Sequence, residues 1–338
     1  MKALFIGGTG TVSTAVSELA VSKGWELYLL NRGNKPERVP AGAHVITGDI
    51  KDEEGVAKLI GGMKFDVVAD FIAFEPFQIE RDIRLFAQKT EQFIFISTVA
   101  VYQKPLPYYM ITEGTPLGNS LSLYGRNKAA CEERLKSEYL KNGFPFTVVR
   151  PGHTYDERSL PLSLQGKNGC WQVLDRIMKG KPVLIHGDGS SLWCLINNRD
   201  FAKGFVGIMG NRSARGESVH ITSDELITWD QIYDRIGDAL KMEVNKFHVA
   251  TDFLTTCDPS LAIDFTGDKS HSCAYDNSKI KRLVPGFAAA TPFDQGSRIC
   301  VEYMLSHPAM QQEDEVFDSF CDKIIKVQEE ATAAFYRL

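Results

Sequence analysis

Short uninterrupted apolar runs, separated by stretches with helical periodicity, organise the first half of the chain. Residues 3–6 (Ala-Leu-Phe-Ile) are the first such run, the pattern of a strand buried on both faces. The run breaks into Gly7-Gly8-Thr9-Gly10, and apolar positions then return at Val12, Val16, Leu19 and Ala20, one face of a helix. Further apolar runs at 25–30, 44–50, 66–73 and 92–96 predict strands. Between them, 53–61 and 79–87 (apolar at Ile79, Ile83, Phe86 and Ala87) predict helices. Strands alternating with helices point to a doubly wound parallel sheet. A proline- and tyrosine-rich loop over 103–119, containing Thr112-Glu113, precedes a helix from Leu123 to Leu135.

The second half carries weaker patterns. Residues 171–178 read as a helix, 218–222 as a late strand of the main sheet and 247–250 as a short strand elsewhere. Thr228 and Gln231 form a capping box opening a helix with apolar positions Ile232, Ile236 and Leu240. Residues 255–275 are polar and irregular and predict loop, whereas 294–305 and 316–335 predict helices. Together these runs predict an α/β protein: a main domain over 1–155, to which the chain returns around 195–222, and a smaller mixed α/β substrate domain from 156–194 and 223–338.

Bulk properties narrow the function classes. With 338 residues, 43% hydrophobic and 24% charged, the chain has the composition of an ordinary soluble protein with a large core. A net charge of −5 argues against a nucleic-acid surface. No apolar run is long enough for a membrane span, and the first strand begins too early for a signal peptide, so a cytoplasmic location is expected. The seven cysteines form no C-x-x-C pair and read as reduced thiols. No Cys/His cluster has metal-ligand spacing, so no metal is expected.

The glycine turn carries the first chemistry. Strand, Gly7-Gly8-Thr9-Gly10, helix is the context in which glycines admit a pyrophosphate to backbone N–H groups at a positive helix N-terminus. Thr11 and Val12 continue that cradle. The third glycine of the usual fingerprint is replaced by Ser13, which predicts a slight spreading of the helix–strand contact. The next strand ends at Asn31-Arg32, with Lys35 nearby and no carboxylate to hold a ribose 2′-hydroxyl, which favours NADP over NAD. Asp49-Ile50 can receive an adenine amino group, and Phe71, at the end of the fourth strand, lines the cofactor. Tyr124 and Lys128 stand four apart on one helix face. A neighbouring ammonium favours the phenolate of a tyrosine whose unperturbed pKa of about 10 makes it a poor base.

These residues resemble an extended short-chain dehydrogenase/reductase of the NAD(P)-dependent sugar epimerase/dehydratase family. The similarity rests on Gly7-Gly-Thr-Gly10, Asp49-Ile50, Ser97-Thr-Val-Ala-Val-Tyr102, Thr112-Glu113, Tyr124-Gly-Arg-Asn-Lys128, Phe146-Thr-Val-Val-Arg150-Pro151, His186-Gly-Asp-Gly189 and Asp200-Phe-Ala202. It is specific over 1–155 and weaker beyond. The resemblance implies a Rossmann-type fold. It also implies Tyr124 as general acid/base, Lys128 on the nicotinamide ribose, and Thr98, with its neighbour Ser97, orienting the substrate hydroxyl; Pro151 would border the cofactor. Helix pairing into a homodimer is implied too, with Ala129, Ala130 and Leu135 either near that face or in the core.

The chain also departs from the family's pattern. Val99-Ala100 occupy the place of a dehydratase's acid pair, which disfavours loss of water. His153 replaces an asparagine of the substrate loop, as a substrate hydrogen-bonding group or as a loop histidine. Trp193 stands where an arginine grips a nucleotide sugar's diphosphate; it could stack on a sugar but cannot replace that charge. The expected function is an epimerase-type oxidoreductase acting on a secondary hydroxyl of a sugar or nucleotide sugar through a transient ketone. The alternatives are an NADPH-dependent reductase or dehydrogenase and a non-catalytic dinucleotide-sensing or RNA-binding relative.

Overall fold

The computed structural model describes residues 1–337. Seven parallel strands form its central sheet: β1 (Lys2–Ile6), β2 (Glu26–Asn31), β3 (His44–Thr47), β4 (Val67–Asp70), β5 (Phe93–Ile96), β6 (Phe146–Pro151) and β7 (Ser218–Ile221), in the spatial order 7-6-5-4-1-2-3. Strand β1 pairs with β2 (Ala3 opposite Leu27) and with β4 (Ala3 opposite Val67). The chain therefore winds outward in opposite senses on the two sides of β1, and a crevice opens at the carboxyl ends of β1 and β4.

Alternation along the strands divides the core in two. Ala3 and Phe5 face one layer, built with α1 (Thr11–Ser22) and α5 (Asn198–Ile208) through Ala15, Val16, Phe201 and Phe205. Leu4 and Ile6 face the other, built with α2 (Glu53–Ile60), α3 (Pro76–Phe86) and α4 (Leu123–Asn142) through Val56, Ile60, Ile79, Ile83, Cys131 and Leu135. Every residue of β4, β5 and β6 is buried, as expected of strands covered on both faces.

Two compact units divide the chain. The first comprises 1–154, 194–225 and 273–290; the second comprises 155–193, 226–272 and the described residues from 291 on. The return at 273–290 has no counterpart in the sequence pattern. Within it Ala274–Tyr275 pairs with Met110–Ile111, and α6 (Ser278–Leu283) gives Ile280 to the first core layer. In the second unit Val183–His186 pairs in parallel with Lys246–Val249, and helices Trp229–Leu240 and Phe293–Ser306 pack together.

Some expectations need correction. The third strand stops at Thr47, because β3 is a mostly exposed edge strand, and Asp49-Ile50 follow it. Residues 255–275 are not loop. They continue a helix Thr251–Cys257 into a turn Pro259–Leu261, capped by Asp258 through the N–H of Ser260, and a wide turn Phe265–Lys269. Helical pieces this short bury only an occasional apolar residue (Leu254, Phe265), so no periodicity marks them. Leu135 belongs to the core and Ala130 is exposed; the outer face of α4 carries ion pairs from Arg134 to Glu80 and Glu138. Among the described residues no helix is long and apolar enough to cross a membrane.

Candidate functional site

The crevice at the carboxyl ends of β1 and β4 holds a cavity of about 710 Å³, lined wholly by the first unit. One end is the glycine turn. Gly7 and Gly8 adopt φ of +102° and +92°, and a Cβ on Gly8 would stand 2.7 Å from Leu29 Cδ2. Only glycine fits there without strain. Gly10 caps α1, and its N–H donates to Ser13 Oγ at 2.9 Å, while Ser17 Oγ donates to the Gly8 carbonyl at 2.9 Å. Ser13 thus closes the turn with its hydroxyl and stays buried. Thr11 and Val12 line the cavity beside the N-terminus of α1. A cradle that a Cβ would fill, in front of a helix N-terminus, fits a dinucleotide pyrophosphate.

Beyond the turn, Asn31, Arg32, Lys35, Asp49 and Ile50 line the same cavity. Asn31 Oδ1 accepts the Gly33 N–H at 2.9 Å, which fixes the β2 tip, and Asp49 Oδ1 accepts the Lys51 N–H at 3.0 Å. Phe71 lines the floor and packs edge-on to Phe5 at 5.3 Å.

At the other end stand Ser97, Thr98, Tyr124, Lys128 and Pro151. Ser122 caps α4 by accepting the Gly125 N–H, so the helix begins just before Tyr124. Lys128 is only 2% exposed, and its Nζ donates to the carbonyls of Ala73 at 2.7 Å and Ile96 at 2.6 Å. Burial pushes its pKa down to about 8, against the opposing pull of Asp70. Its ammonium also lies 4.4 Å from the Phe74 ring centre and 5.8 Å from that of Tyr124. Tyr124 is 43% exposed, so its ring reaches the cavity from a helix otherwise anchored below. Thr98 Oγ1 accepts the Ala100 N–H at 3.1 Å, capping the short turn Val99–Val101.

Three expected residues stand otherwise. Ser97 lines the cavity wall but is buried, and its hydroxyl donates to Glu132. His153 is partly buried and does not line the cavity, although Gly152 and Thr154 do; alternation along strand His153–Tyr155 turns it to the other side. Trp193 is 4% exposed and packs on Trp229 at 5.3 Å inside the second unit, so its ring is core rather than a stacking surface.

Other residues carry the site without having drawn notice. Asp70 accepts the N–H groups of Ile72 and Ala73 at 2.6 and 2.8 Å, folding the turn whose carbonyl holds Lys128. Arg81 reaches Asp70 at 3.3 Å and also lines the cavity. Glu132 pairs with Arg150. The signal for Glu132 was its position one turn past Lys128 on the same face.

A model of the NAD dependent epimerase/dehydratase family matches residues 3–222. The chain belongs to this family. The epimerase/dehydratase-family protein is thus an NAD(P)-dependent enzyme of the oxidoreductase type. The 2'-dehydrokanamycin reductase of Streptomyces kanamyceticus is 24% identical over 291 residues, 85% of this chain and 80% of that protein. The chloroplast stem-loop binding protein of 41 kDa b from Arabidopsis thaliana is 25% identical over 244 residues, 68% of this chain and 60% of that protein. UDP-glucuronic acid 4-epimerase from Bacillus cereus, solved in complex with NAD, superposes with a TM-score of 0.71 at 17% identity, over 90% of this chain and 99% of that one. That likeness is one of fold.

Proposed function

We propose that this protein oxidises or reduces a secondary hydroxyl–ketone centre of a sugar, with Tyr124 as the acid/base. The observation that carries the reading is Tyr124 and Lys128 on one face of α4, in the cavity that also holds Thr98 and the glycine cradle. Gly7, Gly10, Thr11 and Val12 would hold the pyrophosphate, Asp49 and Ile50 the adenine, and Lys128 and Pro151 the nicotinamide riboside. The nicotinamide ring, when bound, supplies hydride acceptance and return. Thr98 orients the substrate oxygen and Tyr124 Oη takes its proton on oxidation or returns it on reduction. The Lys128 ammonium stabilises the phenolate between these events.

Whether the ketone is turned over in place, as in an epimerase, or is the substrate of a reductase depends on the cofactor cycle. Arg32 and Lys35 in the cavity wall, with no carboxylate over 31–35, favour NADP(H) and therefore the reductive reading. The resemblance to 2'-dehydrokanamycin reductase supports a ketone on a sugar as substrate. Denaturing the purified protein and weighing the released nucleotide separates the two. NAD recovered near one per chain supports in-place epimerisation; an empty site binding NADPH reversibly supports reduction; no dinucleotide affinity defeats both. Arg32→Ala should weaken NADPH binding by about 10-fold, the loss of one charge-assisted contact, and leave NADH binding within about twofold. Equal losses for both would count against a 2′-phosphate contact.

A further inference from the structure

The Ser97 hydroxyl is committed inside the protein. Ser97 Oγ donates to Glu132 Oε1 at 2.5 Å. Glu132 in turn accepts Arg150 Nε at 3.0 Å and Nη2 at 2.5 Å, a two-point pairing. Arg150 Nη1 donates to Tyr102 Oη at 2.8 Å and to the Glu113 carbonyl at 3.0 Å. Tyr102 Oη meets His220 Nε2, and His220 Nδ1 faces the Asp276 carbonyl at 3.1 Å. Ser97, Glu132, Arg150, Tyr102 and His220 are all at most 5% exposed. This chain of polar groups joins the ends of β5, β6 and β7 to α4, and nothing in the acid/base chemistry uses it.

Its geometry relative to that chemistry is specific. Tyr124, Lys128 and Glu132 follow one another at successive turns of α4, so the acid/base and Glu132 are about 12 Å apart along the axis. Lys128 grips the Ile96 carbonyl and Glu132 grips the Ser97 hydroxyl, which are consecutive residues at the end of β5. Thr98 is the next residue. A helix tied at Lys128 alone can swivel about that point; a second tie one turn away fixes both its rotation and its position. Replacing a buried ion pair with apolar groups of similar size often leaves stability unchanged, so stability alone does not call for this pair. What an apolar pair lacks is direction.

We propose that Glu132 is a positioning residue: held by Arg150, it grips Ser97 and so sets the Tyr124 hydroxyl against Thr98. Ser97 acts through Glu132 rather than on substrate. The inference rests on Tyr124 being the acid/base, and its test reads position separately from turnover.

The protein is prepared with 3-fluorotyrosine at position 124 and saturated with NADPH or NADH, whichever it binds. Its 19F resonance is compared in the wild-type background, in Ser97→Ala and in the double variant Glu132→Met/Arg150→Met. The double variant should melt close to wild type and bind the dinucleotide within about twofold, yet show a displaced or doubled resonance. Its kcat should fall about 10-fold or more, by the sensitivity of such sites to misplacement. Ser97→Ala should displace the resonance less. An unchanged resonance in both variants overturns the proposal. If the double variant does not fold, Ser97→Ala decides by the same readout. If the resonance moves while Tyr124→Phe keeps full turnover, the acid/base assignment fails and the positioning stands.

Discussion

Gly125 directly follows Tyr124, the proposed acid/base, and it is the position where a single methyl group should separate chemistry from cofactor binding. A Cβ built there would lie 2.3 Å from the Ala100 carbonyl oxygen and 3.1 Å from its carbon. Ordinary C···O contacts are about 3.3–3.6 Å, so the first turn of α4 must retreat by on the order of 1 Å. The obstacle is backbone and cannot rotate away; Ala100 is further held by Asn119 Nδ2, which donates to the same oxygen at 3.0 Å. Overpacking costs about 1–3 kcal/mol, and replacing a helical glycine by alanine returns about 1 kcal/mol. The net destabilisation of Gly125→Ala is therefore roughly 0–2 kcal/mol, or up to about 8 °C in melting temperature for a domain of this size. Turnover suffers more. A displacement of about 1 Å between Tyr124 and Thr98 should lower kcat about 100-fold. Dinucleotide affinity should hold within about threefold, because the glycine cradle lies at the other end of the cavity. Steady-state kinetics on the sugar substrate, a fluorescence titration with NADPH and a thermal melt together make the test. Wild-type kcat would show that α4 and the turn after Thr98 need not stand as close as they do. A loss of dinucleotide affinity equal to the loss of kcat would show that the two ends of the cavity are not separable.

Other perturbations probe the remaining parts. Tyr124→Phe should lower turnover about 100- to 10,000-fold, the range for a lost general acid/base, with dinucleotide binding intact; undiminished turnover would remove Tyr124 from the chemistry. Gly8→Ala places a side chain at φ +92°, 2.7 Å from Leu29, at a strain of about 1–3 kcal/mol, and should weaken NADPH binding at least about 10-fold by titration. Unchanged affinity would mean that the turn is not the pyrophosphate cradle. Lys128 is buried and titrates near 8 rather than 10.5, so turnover should fall as the pH rises past 8 and the ammonium is lost. A rate–pH profile flat to about pH 9.5 contradicts that. For stability the sign is opposite: between pH 8 and 10.5 the unfolded chain binds more protons at this group, so its contribution rises with pH across that window and is unfavourable below it. Melts at the two ends of the window should show this increment in the wild type and not in Lys128→Met.

The central strands β1, β4 and β5 were legible because they are buried on both faces and written as short apolar runs. The glycine turn was legible for the complementary reason: its residues are where backbone conformation leaves least choice. What escaped notice depends on contacts between distant residues. Glu132 and Arg150 stand 18 residues apart in the chain, one in a helix and one in a strand, and only folding brings them together in the core. Trp193 lies in the short strand Leu192–Trp193; a lone aromatic residue can serve as core or as a stacking surface, and the chain neighbourhood does not distinguish them. His153, open to reading as a substrate group or as a plain loop histidine, sits outside the cavity because neighbouring residues on a strand face opposite sides. Residues 273–290 were missed because Ala274–Tyr275 is too short to show a period, and α6 contributes one buried side chain, Ile280.

The return of 273–290 to the sheet-bearing unit has a consequence for the chain during synthesis. Strand β7, helices α5 and α6 and the segment just after α6 supply Phe201, Phe205, Val219, Ile221, Ile280 and Phe287 to the layer that also buries Phe5 and Val16. Until they emerge from the ribosome, that face of the sheet has only α1 as cover. Between the last residue of the first segment and Ala290 lie 136 residues (290 − 154), most of which belong to the other unit. At about 5–20 residues per second, the cover of that face is complete only roughly 7–27 s after the first segment has been made. An amino-terminal fragment ending after β6 carries the whole glycine turn and the Tyr124 helix, yet leaves that face covered by α1 alone. Such a fragment should be retained by chaperones or aggregate, however complete its dinucleotide-binding motif looks on paper.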